Sequence, residues 1–250
     1  MERVRNDMKK TRLDELLVER GYFESADDAL RAVLAQEVKV GDAYPTSAAA
    51  AVPPDAVIEI KGRCAYVSRG GLKLRAALDA FGQQVEGLRC IDVGSSTGGF
   101  TDCLLQAGAA SVTCVDVNYG QLAWKLRQDE RVTVFERTNI RTADPRVLGA
   151  PFDVIVADVS FIGLAGLAPV FARLARRGSV FIGLVKPQFE SHHDETDCGV
   201  VRDEAVRMRT VAEVRDALSA SGFEPEGVVV SPLKGAQAGN MEYLVKAVFL

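Results

Sequence analysis

The sequence predicts an α/β protein: a Rossmann-like, doubly wound, mostly parallel sheet, preceded by a small α+β unit at the N-terminus. Three observations lead there. The apolar run Cys90-Ile91-Asp92-Val93 contains an acid and passes through the turn Gly94-Ser95-Ser96-Thr97-Gly98-Gly99 into an amphipathic segment that starts at Phe100. Beyond it, strand-like and helix-like stretches alternate, as parallel strands with crossover helices require. Ahead of it, two helical and two strand patterns stand close together.

Taken in order, Thr11-Arg12-Leu13-Asp14 has the spacing of a helix start, Leu13, Leu16 and Leu17 share a face, and Gly21 is placed to end the helix. Ser25-Ala26-Asp27-Asp28 repeats the start, with Ala29, Leu30, Val33 and Leu34 as an apolar stripe. Val38-Lys39-Val40 alternates as a strand before the Gly41-Asp42 turn, and Val57-Ile58-Glu59-Ile60 is a second strand. Residues 48–54 read as a loop inside this unit. The units are therefore placed at 1–62 and 68–250, with a linker at 63–67. Apolar residues return at helical spacing from Leu72 to Phe81. After the turn, helices are expected at 100–107, 121–127, 164–175 and 204–221, the last closed by Gly222. Strands are expected at 111–116, 132–135, 152–158, 179–185, 227–231 and 243–249.

Which ligand the turn serves follows from what it lacks. The dinucleotide pattern G-x-G-x-x-G laid on Gly94 puts Ser96 at its second glycine, and no Lys-Ser or Lys-Thr follows as in a P-loop. An acid on the strand, an open turn and the pair Gly98-Gly99 suit S-adenosylmethionine, a cation without phosphate whose amino-acid end fits beside Asp92 and the loop backbone. A glycine-rich turn also serves purely structural ends, so the reading leans on the strand ends that follow. Asp116, closing the second strand, stands where an acid accepts hydrogen bonds from ribose hydroxyls, and Asn139 is placed to meet an adenine edge. Asp158 and Lys186 end two apolar strands; an acid and a lysine there face one cleft.

Composition narrows the class. With 48% hydrophobic and 26% charged residues in 250, the chain is an ordinary globular protein. No apolar run approaches the roughly 20 residues of a membrane helix, and Met1-Glu2-Arg3-Val4-Arg5 has no secretion-signal core, so a cytoplasmic protein is expected. Cys64, Cys90, Cys103, Cys114 and Cys198 are scattered, without a C-x-x-C pair, and read as small buried hydrophobes. His192 and His193 read as solvated, and no metal is expected. The net charge of −4 does not announce a nucleic-acid binder, but Lys61, Arg63, Arg69, Lys73 and Arg75 stand without an acid among them, a local basic stripe.

Two resemblances sharpen this. Arg12-Leu13-Asp14-Glu15-Leu16-Leu17 resembles the opening of the S4 RNA-binding domain, although Ser25-Ala26-Asp27 and Val38-Lys39-Val40-Gly41-Asp42 depart from its later pattern. Ser68-Arg69-Gly70-Gly71-Leu72-Lys73-Leu74, the turn Asp92 to Thr101, Asp158-Val159-Ser160-Phe161-Ile162, Lys186-Pro187-Gln188-Phe189-Glu190 and Gly239-Asn240-Met241-Glu242-Tyr243 are similar, in order and spacing, to the TlyA/hemolysin A family. That family joins an S4 domain to an FtsJ-like class I methyltransferase domain. The resemblance implies S-adenosylmethionine as cofactor, 2′-O-methylation of cytidine in ribosomal RNA, and a Lys-Asp-Lys-Glu tetrad carried by Lys73, Asp158, Lys186 and Glu242.

The turn residues Asp92, Gly94, Ser95, Ser96, Thr97, Gly98, Gly99 and Phe100, with Asp116, Asn139 and Asp158, are then the expected cofactor contacts. Arg12, Lys61, Arg63, Arg69 and Arg75 are the expected RNA contacts. Lys186 is expected closest to the 2′-oxygen, either as a general base or as a cation stabilising the alkoxide. Segments 187–202 and 235–239, polar and irregular, read as mobile loops over the RNA side. The rival readings are a non-catalytic ribosome-binding or assembly factor, which intact acids and lysines at all four tetrad positions oppose, and a membrane-acting hemolysin, which needs amphipathic or spanning segments the sequence lacks.

Overall fold

The structure, a computed structural model, describes residues 10–20, 22–23, 25–54, 56–61, 65–235 and 239–250. The chain divides into two compact units, Met1–Ala65 and Tyr66–Leu250. Gly21 and Arg63, Cys64 and the middle of the 235–239 segment lie outside the described residues.

In the first unit, β1 (Thr11–Arg12) leads into α1 (Leu13–Glu19), followed by α2 (Ala26–Leu34), β2 (Val38–Val40), β3 (Ala51–Val52) and β4 (Ile58–Ile60). The capping box expected at Thr11 does not form: Thr11 and Arg12 pair with Val52 and Ala51, so their backbone is extended and no side chain caps α1. The same pairing turns part of the supposed 48–54 loop into a strand. Ser25 does cap α2, its hydroxyl accepting from Asp28 N–H at 3.2 Å. Leu13, Leu16, Leu17, Ala29, Val33 and Val38 pack into one small core, while Leu30 and Leu34, expected in the α2 stripe, face outward.

The second unit runs α3 (Gly70–Ala80), β5 (Arg89–Val93), α4 (Gly99–Gln106), β6 (Ser111–Val115), α5 (Trp124–Arg127), β7 (Val132–Phe135), α6 (Pro145–Leu148), β8 (Phe152–Ala157), α7 (Ala168–Leu174), β9 (Ala175–Val185), α8 (Pro187–Glu190), α9 (Glu204–Ala220), β10 (Phe223–Val230) and β11 (Tyr243–Phe249). Its seven-stranded sheet has the order β10-β11-β9-β8-β5-β6-β7. Strands β9, β8, β5, β6 and β7 are parallel, and β11 alone runs against its neighbours on both sides.

Alternation along the strands supplies two cores, because both faces of a parallel sheet are covered. Ile91, Val93, Ile155 and Ala157 face α7 and α9, whereas Cys90, Val154, Val156 and Ile182 face α3 and α4. On the first face Phe171, Phe181, Phe223 and Phe249 form a chain of rings with centroids 4.6, 5.9 and 5.0 Å apart. Truncating buried Phe181 to Ala in such a cluster costs about 3–5 kcal/mol.

Several expected boundaries move, each for a tertiary reason. Helix α5 starts at Trp124 rather than Gln121, because Ala123 N–H is taken by Thr97 O at 3.1 Å and Gln121 accepts from Ser96 Oγ. Strand β9 starts at Ala175, ahead of a register shift in which Arg176 N–H donates to Ser179 Oγ at 2.8 Å. Strand β10 reaches back past Pro225, which an edge strand with a register shift tolerates. Segment 187–202 is ordered by α8, the 3₁₀ turn His193–Glu195 and the bridge between Asp197 and Val200, contrary to the irregular loop expected.

Candidate active site

Strands β6 and β7 extend the sheet to one side of β5, and β8 and β9 to the other. At such a reversal the loops beyond the carboxyl ends part and leave a crevice. A cavity of about 330 Å³ opens there, lined by Ser68, Arg69, Gly70, Asp92, Ser95, Thr97, Gly99 and Phe100 among others. It shares Lys73, Gly94, Ser96, Asp158, Ser160 and Lys186 with a larger cleft of about 970 Å³.

Asp92 is fully buried. Its Oδ2 accepts hydrogen bonds from Thr101 N–H at 3.0 Å and Thr101 Oγ1 at 2.7 Å, while Oδ1 has no hydrogen-bond partner among the described residues. Burial pushes the carboxyl up to about 7, with Thr101 pulling the other way and the charge of Asp158 adding to the rise. Such a group carries a charge only once it gives up its proton, and a nearby cation would favour that loss. Gly94, at φ +81°, leaves no space for a side chain, since a Cβ would fall 2.6 Å from the carbonyl oxygen of Asp158. Gly99 is as tight, its added Cβ meeting Ser68 Oγ at 2.2 Å. The turn thus brings bare backbone to the cavity wall.

Not every expected cofactor residue lines it. Gly98, at φ +93°, lies outside both cavity linings, and a Cβ there would fall 2.3 Å from Leu126 and 2.8 Å from Leu122. Asp116 and Asn139 line the larger cleft, but each also holds local backbone. Asp116 accepts from Ser96 N–H and Asn118 N–H, both at 2.8 Å, and Asn139 Oδ1 accepts from Arg141 N–H at 3.0 Å. They shape the turn as well as facing the cleft.

The four tetrad positions form two pairs. Lys73 of α3 donates to Glu242 just ahead of β11, with the residues 7% and 2% exposed. Lys186, closing β9, lies 2.7 Å from Asp158 Oδ1 as an ion pair outside hydrogen-bond alignment, and donates to Ser160 Oγ at 2.8 Å. All four line the larger cleft. The sheet explains the convergence: Val185 pairs with Tyr243, so Lys186 and Glu242 flank adjacent antiparallel strand ends.

Within the second unit the basic stripe is partly neutralised. Lys73 turns inward to Glu242, and Arg75 is paired with Asp79 along α3. Arg69 is exposed and lines the smaller cavity, Lys61 is exposed in the first unit, and Arg12 is tied to Asp14 at 2.6 Å. Among the cysteines, Cys90, Cys103 and Cys114 are buried, but Cys198 is exposed and lines the larger cleft. Among the described residues no group of three or more His, Cys, Asp or Glu is placed to hold a metal ion.

Three residues at the cleft were quoted in motifs without a role. Ser160 anchors Lys186. Phe161 is 84% exposed at φ +69°, a conformation that costs a non-glycine residue energy, and its ring lies 5.5 Å from that of Phe189. Phe161 and Phe189 both line the larger cleft, a placement that hydrophobic patterning does not signal.

This fold and cleft define a Rossmann-like methyltransferase architecture, with acids and lysines together lining the crevice at the strand ends. A family model described as FtsJ-like methyltransferase matches residues 66–249. The chain belongs to the FtsJ-like methyltransferase family and, with its relatives, to the TlyA/hemolysin A group. It is 42% identical over 95% of its length to the 16S/23S rRNA (cytidine-2'-O)-methyltransferase TlyA of Mycobacterium tuberculosis, covering 89% of that protein. It is 39% identical over 93% of its length to hemolysin A of Brachyspira hyodysenteriae, covering 98% of it. A solved structure of a hemolysin-named protein from Streptococcus thermophilus matches with a TM-score of 0.73 and 38% identity, over 97% of this chain and 89% of the other.

Proposed function

We propose that the protein transfers a methyl group from S-adenosylmethionine to the 2′-hydroxyl of cytidine in ribosomal RNA, in the cytoplasm. One observation carries the reading: two lysine–carboxylate pairs, Lys73–Glu242 and Lys186–Asp158, face a single cleft that continues into the Asp92 pocket. The activity named for the Mycobacterium tuberculosis relative agrees with it.

The residues present fit the cofactor. Asp92 Oδ1, buried and accepting no hydrogen bond among the described residues, suits the ammonium of its methionine end. Gly94 and Gly99 admit a ligand against bare backbone, and Asp116 and Asn139 stand farther along the cleft for ribose and adenine. When bound, S-adenosylmethionine supplies an electrophilic methyl on a sulfonium sulfur. The chain's part is orientation and charge. Lys186, held by Asp158 and Ser160, keeps a donor for the substrate 2′-oxygen and stabilises the negative charge that develops there as the hydroxyl proton passes to water in the open cleft. Lys73 and Glu242 fix the opposite wall, and the exposed Phe161 ring offers a face on which the substrate base stacks. The first unit, S4-like by its opening motif, and exposed Arg69 dock the RNA.

The direct test is transfer of labelled methyl from the cofactor to isolated ribosomal subunits, with the modified ribose mapped. Wild type labels a cytidine 2′-oxygen and Lys186→Ala abolishes it; undiminished transfer by Lys186→Ala would sink the mechanism. The hemolysin reading predicts leakage of liposomes by the purified protein, which is not expected, since among the described residues no helix is long and apolar enough to cross a membrane.

A further inference from the structure

The activity proposed above needs Lys186, at the end of β9, and the segment from Asp158 to Phe161, at the end of β8, to keep a fixed relation. They sit on separate loops, and three contacts join them. Lys186 meets Asp158 and Ser160, the Phe161 and Phe189 rings approach each other, and the Glu190 carboxylate reaches from α8 to the backbone of Leu164, with Ala165 N–H facing the same carboxylate. The first two consist of side chains that line the cleft. The third is set back from it.

Its chemistry is matched. Leu164 and Ala165 open the helical run formed by the 3₁₀ turn Ala165–Leu167 and α7. The first N–H groups of such a run have no partner within it and carry the positive end of its dipole, so a carboxylate is the complementary acceptor. Gly163 completes the arrangement. Its backbone is outside the left-handed region, so φ does not demand glycine there. A Cβ at that position, however, would lie 2.5 Å from Glu190 Oε2 and 3.1 Å from the carbonyl oxygen of Phe189. The glycine is what lets α8 and its carboxylate close on the loop.

We propose that Glu190 is a positioning residue: by clamping the start of the helical run after Gly163 to α8, it locks the loop bearing Asp158, Ser160 and Phe161 to the loop bearing Lys186. The substrate hydroxyl then meets both halves of the Lys186–Asp158 pair in register. This rests on the methyl-transfer reading for its consequence, but the clamp itself is observable without activity.

The experiment pairs amide hydrogen exchange with single-turnover methyl transfer in wild type, Glu190→Ala, Glu190→Gln, Gly163→Ala and the Gly163→Ala/Glu190→Ala double variant. Slow exchange at Leu164 and Ala165 in wild type, and exchange about tenfold faster in Glu190→Ala and in Gly163→Ala, is expected from loss of a native amide acceptor. Transfer falls about tenfold or more in each, since displacement of a reacting group by about 1 Å is worth up to about 100-fold. The double variant is no more than about threefold below the worse single, because both changes break one contact. Cofactor affinity stays within about twofold of wild type, as the Asp92 pocket is not touched, and Glu190→Gln, which keeps one acceptor oxygen, falls between wild type and Ala. If Glu190→Ala does not fold, Gly163→Ala and Glu190→Gln carry the same comparison. Unchanged exchange at the two amides, single losses that multiply in the double variant, or rate losses that merely follow the unfolded fraction would each overturn the clamp. A wild type that protects both amides yet transfers no methyl group would instead overturn the methyl-transfer reading and leave the clamp in place.

Discussion

Lys73 and Glu242 offer a test that separates holding the fold from serving the reaction. The pair is almost wholly out of water, at 7% and 2% exposure, and joins α3 to the approach of β11. Removing one partner strands the other as an uncompensated buried charge, which costs about 3–5 kcal/mol. In a unit of this size each kcal/mol moves the melting temperature by about 2–4 °C, so Lys73→Met or Glu242→Leu alone lowers it by about 6–20 °C. Replacing both removes the desolvation penalty together with the attraction, and such exchanges are often neutral or stabilising by about 1–4 kcal/mol. The Lys73→Met/Glu242→Leu protein is therefore expected to melt near wild type while transferring no methyl group. Thermal melts without ligand, beside methyl transfer to ribosomal subunits, decide the matter. A double variant that melts at the sum of the two single losses would refute the pairing argument, and one that regains activity would remove the pair from the reaction.

Because the buried Asp92 carboxyl sits at about 7, it must shed its proton to meet a cationic ligand, and cofactor affinity is expected to weaken about tenfold from pH 8 to pH 6. Titration calorimetry with Asp92→Asn should give weaker binding without that slope. In the ligand-free protein the sign reverses: the raised carboxyl favours the fold fully below the ordinary carboxylate range, and that stability is lost as pH rises through about 7, which denaturant melts across pH will read. Gly94→Ala forces a Cβ against the Asp158 carbonyl oxygen at positive φ, so it should lower both the melting temperature and cofactor affinity; wild-type values for both would contradict the close approach. Phe161→Ala removes an exposed ring and leaves the backbone strain in place, so stability should hold within about 0.5 kcal/mol. Loss of a base-stacking face is worth about 1–3 kcal/mol, a rise in KM for RNA of roughly 5–150-fold with cofactor affinity unchanged.

Strand-end residues were legible in the sequence because topology alone sends them to the cleft. Asp116, Asp158 and Lys186 each follow an apolar run, and any parallel sheet delivers such positions to one edge. Lys73 was legible only through its motif; by charge pattern it belonged to a surface stripe, and nothing local reveals that its partner is Glu242, brought in by the last strand. Gly98 is ambiguous for the opposite reason, since a glycine packed near Leu122 and Leu126 looks in sequence like one that faces a ligand. The Glu190 contact with Leu164 and the Ser160 contact with Lys186 both bridge loops on different strands, and no periodicity encodes them. The N-terminal boundaries moved because the pairing of Thr11 and Arg12 with Ala51 and Val52 overrides a favourable helix-start spacing.

The reversed strand β11 has a bearing on the order in which the molecule is completed. It lies between β9 and β10, so β10 joins the sheet only through it, and Glu242 enters the site directly ahead of it. Along the chain, Asp92 and its glycine turn come early and the partner of Lys73 comes last. Without β11, strand β10 has no partner in the sheet, both cores lose buried residues, and Glu242 opposite Lys73 is no longer anchored. The last strand of the chain thus carries both β10 and the Glu242 wall of the cleft.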